Sequence, residues 1–411
     1  MERRRILAVG TVVLAVVVVG IAFIALGGRE PGASPSPSHS ASSSPTVAAS
    51  ASPSASASEA PSESASPSAA AGPFTVAWEP IEFEAEADIN DVSFVGGRWF
   101  ALGQVFPEAA IWTSDDGRTW ARAEIASTRA DDEVTTVTEV VELDGLLVAI
   151  GAFGAMASDQ FAWMTWTSDD DGATWTERRD GPSPHALRAI VAAGPGLVGA
   201  GSDYTGTTPF DSWIALSEDG VTWEPTSAVF DSTEIISLAV REDRIVAVGV
   251  EFTDGGGVAG SVFSSDDGGV TWSAASLPDA AGDGPEFLYE VVATVNGFVA
   301  VGNGPVGASA WLSADGETWE RIEIAASAST SRALALVDGG FVAVGNVVGH
   351  DIGPGHSWTS VDGRTWEDGN EFTPGTVMIL GVDGDGSTVI AGGQCVTESC
   401  ETVLWVGEVS R

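Results

Sequence analysis

From Pro73 to Arg411, short apolar runs alternate with clusters of glycine and aspartate. The runs are mostly four to six residues long and rich in Val, Ile, Phe and Trp. This pattern is typical of short β-strands joined by tight turns, and it lacks the 3.6-residue period of an amphipathic helix. We therefore predict that this part of the chain is all-β.

One turn-forming phrase recurs six times here, and its closing tryptophans lie 47 to 55 residues apart. The copies read SDDGRTW (114–120), SDDDGATW (168–175), SEDGVTW (217–223), SDDGGVTW (265–272), SADGETW (313–319) and SVDGRTW (360–366). About half a period before each copy, an apolar run ends in glycine, first at Trp99–Gly103 and last at Phe341–Gly345. Each period therefore predicts four short strands, which form one blade of a β-propeller.

The number of blades follows from the two ends of the repeat region. After the sixth copy, Val377–Leu380, Thr388–Gly392 and Val403–Val406 predict three strands, and no seventh copy follows. The missing fourth strand is predicted at Phe74–Phe83, where Trp78 takes the place of the closing tryptophan. Seven blades result, and radial closure removes the exposed edges of an open sheet.

Within each copy, we expect the serine and aspartate oxygens to accept backbone N–H bonds and the glycine to adopt positive φ. One aspartate and the closing tryptophan of each copy are the predicted structural residues: Asp116 and Trp120, Asp171 and Trp175, Asp219 and Trp223, Asp267 and Trp272, Asp315 and Trp319, Asp362 and Trp366. The phrases resemble the Asp-box, or BNR, repeat of sialidases, sortilin-like receptors and photosystem assembly-factor-like propellers. This resemblance implies a propeller but leaves the function open, because enzymes, receptors and assembly factors share the motif.

The chain before Pro73 has two further segments of different composition. In residues 1–28, three arginines (Arg3–Arg5) precede an uncharged apolar run, Ile6–Gly28, that is long enough to cross a hydrocarbon core of about 30 Å. The positive-inside tendency then keeps the N-terminus cytoplasmic. Residues 29–72 are almost entirely Ser, Ala and Pro, which predicts a disordered linker. We expect a single-pass plasma-membrane protein with an extracytoplasmic propeller at 73–411; a signal cleaved after Ala25–Gly27 is the alternative.

Charge excludes one class of partner. The chain has 17 basic and 58 acidic residues, a formal net charge of −41. A nucleic-acid binder needs a basic patch that displaces counterions from phosphates, so nucleic acid is not an expected partner. The acidity points instead to a cationic partner or to divalent ions as ligands.

Each apolar run that ends in glycine is the predicted second strand of its blade, and we call its last residue the strand-two glycine. A candidate ligand site comes from counting back thirteen residues from each of these glycines. This position opens the predicted inner strand of each blade and holds Asn90, Thr138, Arg188, Ile236, Tyr289, Arg332 and, counted from Gly392, Ile379. We expect Asn90, Arg188, Tyr289 and Arg332 to surround the channel mouth opposite the repeated turns, where two arginines suit a carboxylate ligand.

The resemblance to sialidases implies an alternative use of this ring. Sialidases bind a carboxylate with three arginines and use a tyrosine nucleophile assisted by a glutamate, and Glu290 follows Tyr289 here. No third arginine is in register, however. Adjacent strand residues also point to opposite faces, so Tyr289 and Glu290 are not expected to meet.

We assign structural roles to the other polar residues that could form a site. Cys395 and Cys400 are predicted to form a disulfide, since the domain is expected to be exported. Asp383, Asp385 and Ser387 resemble the start of a calcium loop, but Thr388 replaces its glycine, so a plain turn is expected. His350 and His356 are interpreted as loop histidines. We predict no metal site and no cofactor.

Three functions are consistent with these observations. The first is a membrane-anchored binding or assembly module, because loops of different length in each blade are the usual carriers of recognition on a rigid scaffold. Its partner is then an unknown protein or glycan at the cell surface. The second is a sialidase-like exo-glycoside hydrolase that uses Arg188, Tyr289 and Arg332. The third is a purely structural surface protein.

Overall fold

The computed structural model describes residues 72–155, 161–179, 185–203, 211–253, 257–278, 285–325, 329–347, 353–372, 377–396 and 403–411. The predicted membrane anchor and nearly all of the predicted linker lie outside these ranges. Within them, no helix has the length and apolar character needed to cross a membrane.

The described strands form seven separate sheets, the blades of a propeller, and their strand pairs are antiparallel except for one pair in blade two. Blade one contains β2 (Ala87–Val95), β3 (Arg98–Val105), β4 (Glu108–Ser114) and β5 (Ala121–Arg122). Blade two contains β7 (Glu133–Leu143), β8 (Leu146–Ala155), β9 (Phe161–Ser168), β10 (Thr174–Arg178) and an added outer strand, β6 (Glu124–Ala126), which pairs parallel to β10. Blade three contains β11 (His185–Ala193), β12 (Gly196–Asp203), β13 (Ser212–Ser217) and β14 (Glu224–Phe230).

The remaining blades repeat this order. Blade four contains β15 (Thr233–Arg241), β16 (Arg244–Thr253), β17 (Gly257–Ser265) and β18 (Ser273–Ala274). Blade five contains β19 (Phe287–Thr294), β20 (Gly297–Gly304), β21 (Gly307–Ser313) and β22 (Glu320–Glu323). Blade six contains β23 (Ser329–Val337), β24 (Gly340–Val347), β25 (Gly355–Ser360) and β26 (Trp366–Glu371).

Blade seven joins the two ends of the domain. Its strands are β27 (Val377–Gly384), β28 (Thr388–Cys395), β29 (Leu404–Ser410) and, outermost, β1 (Thr75–Pro80). β1 pairs antiparallel with β29, from Thr75 opposite Ser410 to Pro80 opposite Trp405. The predicted seven-bladed, all-β propeller and the placement of its first strand are confirmed.

The apolar core lies between the blades. Seven clusters of buried side chains each combine residues from two neighbouring blades, including the pair formed by blades seven and one. Phe100 of blade one, for example, packs edge-on against Trp175 of blade two, with ring centroids 6.4 Å apart. Because each blade buries both faces against its neighbours, burial of apolar area holds the ring of blades closed.

Every inner strand carries one β-bulge, at the same position in each blade. The bulged residues are Asn90, Thr138, Arg188, Ile236, Tyr289, Arg332 and Leu380, which we call the ring residues. The residue before each bulge pairs with the strand-two glycine, as Ser331 does with Gly345. A Cβ on Gly345 would overlap the carbonyl oxygen of Thr330. The recurrent glycine therefore marks the bulge, which explains why a count of thirteen residues located it.

In blade seven the count from Gly392 selected Ile379, and this assignment was wrong. Two glycines follow each other there, and Gly393 is the one that pairs with the residue before the bulge. The ring residue of blade seven is therefore Leu380, whereas Ile379 is fully buried in the core between blades six and seven.

The six repeated turns share one hydrogen-bond pattern. The serine hydroxyl donates to the carboxylate of the aspartate two residues later, as Ser114 does to Asp116 at 3.0 Å. That carboxylate accepts the backbone N–H of the threonine before the closing tryptophan, at 2.6 Å for Thr119. The backbone N–H groups of Thr119 and Arg118 hold the pKa of Asp116 down at about 2. The aspartates thus serve the turns themselves.

The prediction that Asp171 is the turn aspartate of the second copy was wrong. In the second turn, Asp170 and not Asp171 accepts from Ser168 and from the backbone N–H of Thr174. The extra residue of this longer turn is Asp171, which has a positive φ of 56° and contributes its backbone oxygen to Arg98.

Candidate functional site: the central channel

A cavity of about 430 Å³ lies where the inner strands meet, and all seven ring residues line it. They lie at the third to sixth residue of the inner strands, whereas Arg98, just after the turn that follows the first inner strand, contacts Asp115 of a repeated turn. The ring therefore lies farther from the repeated turns than Arg98 does, and its opening on the opposite face stays a prediction. The structure brings Asn90, Arg188, Tyr289 and Arg332 together around one channel.

Asn90 connects three blades. Its side-chain N–H donates to the hydroxyl of Thr136 and to the carbonyl of Val137 in blade two, both at 2.7 Å. Its side-chain oxygen accepts from Gln394 of blade seven at 3.0 Å. These contacts give Asn90 a structural role at the point where blades seven, one and two meet.

Each arginine of the ring has a partner within the protein. Arg188 Nε lies 3.3 Å from a carboxylate oxygen of Glu234, which is only 1% exposed. The guanidinium carbon of Arg332 lies 4.2 Å from the centroid of the Tyr289 ring. Tyr289 stacks in turn on Phe287, with ring centroids 5.8 Å apart. Glu234 thus occupies the position at Arg188 that a ligand carboxylate would need, so the two arginines do not form a ready clamp.

Tyr289 and Glu290 both line the cavity, contrary to the expected alternation. The bulge at Tyr289 interrupts the strand period, so two successive side chains reach the same surface. The Glu290 carboxylate nevertheless accepts a 2.6 Å hydrogen bond from the backbone N–H of Leu334 in blade six. Glu290 is therefore engaged with the neighbouring blade.

Sequence reasoning missed a group of carboxyls that line the same cavity. Asp91, Glu139 and Glu290 each follow a ring residue directly, and Asp383 lies three residues after Leu380. We call these four side chains the channel acids. A signal was present in the sequence, since the position after the ring residue is acidic in blades one, two and five.

The electrostatics of the channel acids are unusual. Burial raises the pKa of Asp91 to about 7, and the neighbouring Asp383 adds to this, against a hydrogen bond from Ser93. Burial also raises the pKa of Asp383 to about 6. For Glu139 and Glu290, burial first and the charge of Asp91 second raise the pKa well above its ordinary value. Enclosure by the channel walls and mutual repulsion therefore favour protonated carboxyls.

At least one polar side-chain contact reaches an inner strand across each blade interface. The seven contacts, from the interface of blades one and two round to that of blades seven and one, are Asn90 with Val137, Glu139 with Ile190, Arg188 with Glu234, Ser237 with Val291, Glu290 with Leu334, Asn346 with Ile379 and Asp383 with Phe94. Three of them use a channel acid as acceptor of a backbone N–H. The channel acids thus join blades as well as line the cavity.

The other candidates from the sequence are not part of the channel mouth. Asp385 accepts the backbone N–H groups of Ser387 and Thr388, which makes a turn. His356 contacts Asp368 at 2.6 Å, and His350 lies outside the described residues. No cluster of three potential metal ligands occurs among the residues that the structure describes. Cys395 is disulfide-bonded; Cys400 lies outside the described residues.

Comparison with known proteins supports the fold. No protein-family model matches the chain, and no curated protein matches it. A solved structure described as "YCF48 bound to D1 peptide" is 16% identical with a TM-score of 0.54, and the match covers 81% of this chain and 96% of that one. A second, "Phage phi92 endosialidase", is 10% identical with a TM-score of 0.48, and the match covers 82% and 69%. The first likeness places the chain among β-propellers and indicates nothing finer.

Proposed function

We propose that this protein is a non-catalytic binding or assembly module whose ligand site is the mouth of the central channel. The observation that carries the proposal is the cavity of about 430 Å³ lined by all seven ring residues. Its lining combines apolar side chains such as Ile236, Leu380 and Val382 with a few polar groups, which is the usual composition of a ligand pocket.

Contacts within the ring favour binding over catalysis. A sialidase-like reaction needs arginines that are available to a substrate carboxylate and a tyrosine activated by a glutamate. Here Arg188 faces Glu234, Arg332 covers the ring of Tyr289, and Glu290 accepts from Leu334. These partners would all have to be displaced before the alternative function, an exo-glycoside hydrolase, became possible.

The proposed partner is a protein or a glycan at the cell surface, and a peptide segment is favoured. Support comes from the YCF48 propeller, whose structure contains a bound D1 peptide and shows that the fold accommodates such a ligand. The net charge of −41 favours a cationic partner or divalent ions.

We also propose that residues 1–28 anchor the protein in the plasma membrane with the propeller outside the cytoplasm. The support is the apolar run Ile6–Gly28 after three arginines. Protease added to intact cells should digest a tag placed after Arg411 and spare a tag placed before Met1. Protection of the C-terminal tag would contradict this orientation.

Peptide and glycan arrays test the site when probed with the full chain and with variants of the channel. Ile236→Trp fills the mouth, and Tyr289→Ala removes its aromatic wall. We expect a ligand that binds the wild type to bind both variants at least about ten-fold more weakly. The control is Val361→Trp, at an exposed position on a repeated turn. Equal binding by all four proteins would contradict a ligand site in the channel.

A sialoside assay separates the two functions. The binding module releases no sugar from a chromogenic sialoside, either as wild type or as Tyr289→Phe. Turnover by the wild type that Tyr289→Phe abolishes would replace the binding proposal with the hydrolase.

A further inference from the structure

We propose that Asp91, Glu139, Glu290 and Asp383 form a proton-linked switch in the central channel. At mildly acidic pH these four carboxyls are protonated in the folded propeller. Their ionisation at higher pH charges the channel and weakens the contacts between blades that close the ring. The proposal concerns the protein without ligand, so it does not depend on the proposed function.

The geometry brings these four carboxyls together from distant parts of the sequence. They come from the inner strands of blades one, two, five and seven, and all four line one cavity. They accept hydrogen bonds from backbone N–H groups and one hydroxyl: Ile190 for Glu139, Leu334 for Glu290, Phe94 and Gly384 for Asp383, and Ser93 for Asp91. Over the described part of the chain, no arginine forms an ion pair with any of the four.

Two arginines share the cavity wall with this cluster. Arg188 faces Glu234, and Arg332 lies over Tyr289. The other charged or titratable residues of the described inner strands are Asp88, Glu133, Glu142, His185 and Arg241. Of these, Asp88 is largely enclosed beside Gln104, and burial raises its pKa as well. Ionisation of the channel acids therefore places up to four negative charges around a cavity whose wall also carries two arginines, Arg188, which faces Glu234, and Arg332.

Three of the four acids also accept a hydrogen bond from a backbone N–H of the neighbouring blade. Their ionisation is therefore coupled to the contacts that close the ring. Glu139 joins blades two and three, Glu290 joins blades five and six, and Asp383 joins blades seven and one. Each of these hydrogen bonds favours the ionised carboxylate, but burial, together with repulsion from Asp91 at Glu139 and Glu290, outweighs it and raises the pKa. Repulsion among the ionised carboxylates then opposes the close approach of the inner strands. Three interfaces out of seven are therefore sensitive to the protonation of the channel.

The sign of the pH effect follows from the direction of the shifts. An acid whose pKa is higher in the folded state than in the unfolded chain makes folding more favourable at low pH. That advantage is complete below the unfolded pKa of about 4 and is lost as the pH rises through the folded pKa, which is about 6 for Asp383 and about 7 for Asp91. The window of the switch is therefore the range from about pH 4 to at least about pH 7.

Urea unfolding of the full chain in mild detergent, followed by tryptophan fluorescence at several pH values from 5 to 8, tests the switch. For each extra proton held by the folded state, the unfolding equilibrium constant should rise about ten-fold per pH unit. Asp91→Asn and Asp383→Asn should each flatten this dependence. The control, Glu142→Gln, changes an exposed carboxylate on the same inner strand as Glu139 and should keep the wild-type slope. A flat wild-type profile, or amide variants that retain the full slope, would overturn the proposal.

Infrared spectroscopy of the wild type gives a second test that needs no variant to fold. The carboxylic-acid C=O band should persist in the folded protein at pH 6 and disappear when urea unfolds it at the same pH. Absence of that band in the folded protein would also overturn the switch. Neither result bears on whether the channel binds a ligand, so this proposal and the proposed function can fail separately.

Discussion

The guanidinium of Arg332 lies over the face of Tyr289, 4.2 Å from the ring centroid, and joins the inner strands of blades five and six. Arg332 is only 8% exposed. A cation over an aromatic face is stabilised most when both groups are removed from water. This pair therefore shapes the channel wall and stabilises a blade interface.

Substitution of Tyr289 tests the contribution of its aromatic face. Tyr289→Phe retains the ring beneath Arg332, whereas Tyr289→Leu removes it. We expect the leucine variant to be less stable than the phenylalanine variant by about 0.5–2 kcal/mol in urea unfolding. A double-mutant cycle with Arg332→Met isolates the pair, and a coupling energy near zero would contradict the assigned role.

The strand-two glycines should tolerate no side chain. In Gly345→Ala the new Cβ would meet the carbonyl oxygen of Thr330, a backbone atom that cannot rotate away. We expect a loss of about 3 kcal/mol or more in the free energy of unfolding, since the bulge itself must move. Gly72→Ala, where no atom lies within 4 Å of the new Cβ, is the control and should be neutral. Equal stability of the two variants would show that the glycine is not required by the bulge.

The blade count and the ring positions could be predicted because both depend on local patterns that repeat. The closing tryptophans mark the turns, and a glycine such as Gly345 marks the bulge opposite it. The channel acids could not be assigned in the same way. Asp91 and Glu290 follow ring residues, and strict strand alternation would turn them away from the channel, whereas the bulge brings both residues to it. The pairing of Arg188 with Glu234 depends on the register between blades, which no single repeat contains.

Substitutions in the second repeated turn can distinguish the roles of the adjacent residues Asp170 and Asp171. Asp170→Ala removes the acceptor for Ser168 and for the backbone N–H of Thr174, so the urea midpoint should fall. Asp171→Asn keeps a residue that tolerates positive φ and should leave the midpoint nearly unchanged. Asp169→Ala, at an exposed neighbour, controls for the loss of charge. If Asp171→Asn proved the more damaging change, the assignment of Asp170 would be wrong.

Low pH should weaken the same turns. Hydrogen bonds from backbone N–H groups lower the pKa of Asp116, to about 2, and of Asp219 and Asp315. A depressed pKa contributes stability that is present above the unfolded value near 4 and is lost as the pH falls through the folded value. We therefore expect the thermal midpoint to fall between about pH 4 and pH 2. Replacing Asp116 by Asn should reduce this acid sensitivity, and an unchanged profile would contradict the role of the turns.

Closure of blade seven by the first strand can be tested with two adjacent residues of β1. Val76 is 6% exposed and packs in the cluster between blades six and seven, whereas Ala77 points outward. Val76→Asp buries a carboxylate without a partner and should cost about 3 kcal/mol or more, while Ala77→Asp should change stability by about 0.5 kcal/mol or less. Hydrogen exchange should show faster exchange of the β29 amides that pair with β1 in Val76→Asp only. Unchanged protection of these amides would mean that β1 contributes little to ring closure, and blade seven would then depend on its three C-terminal strands.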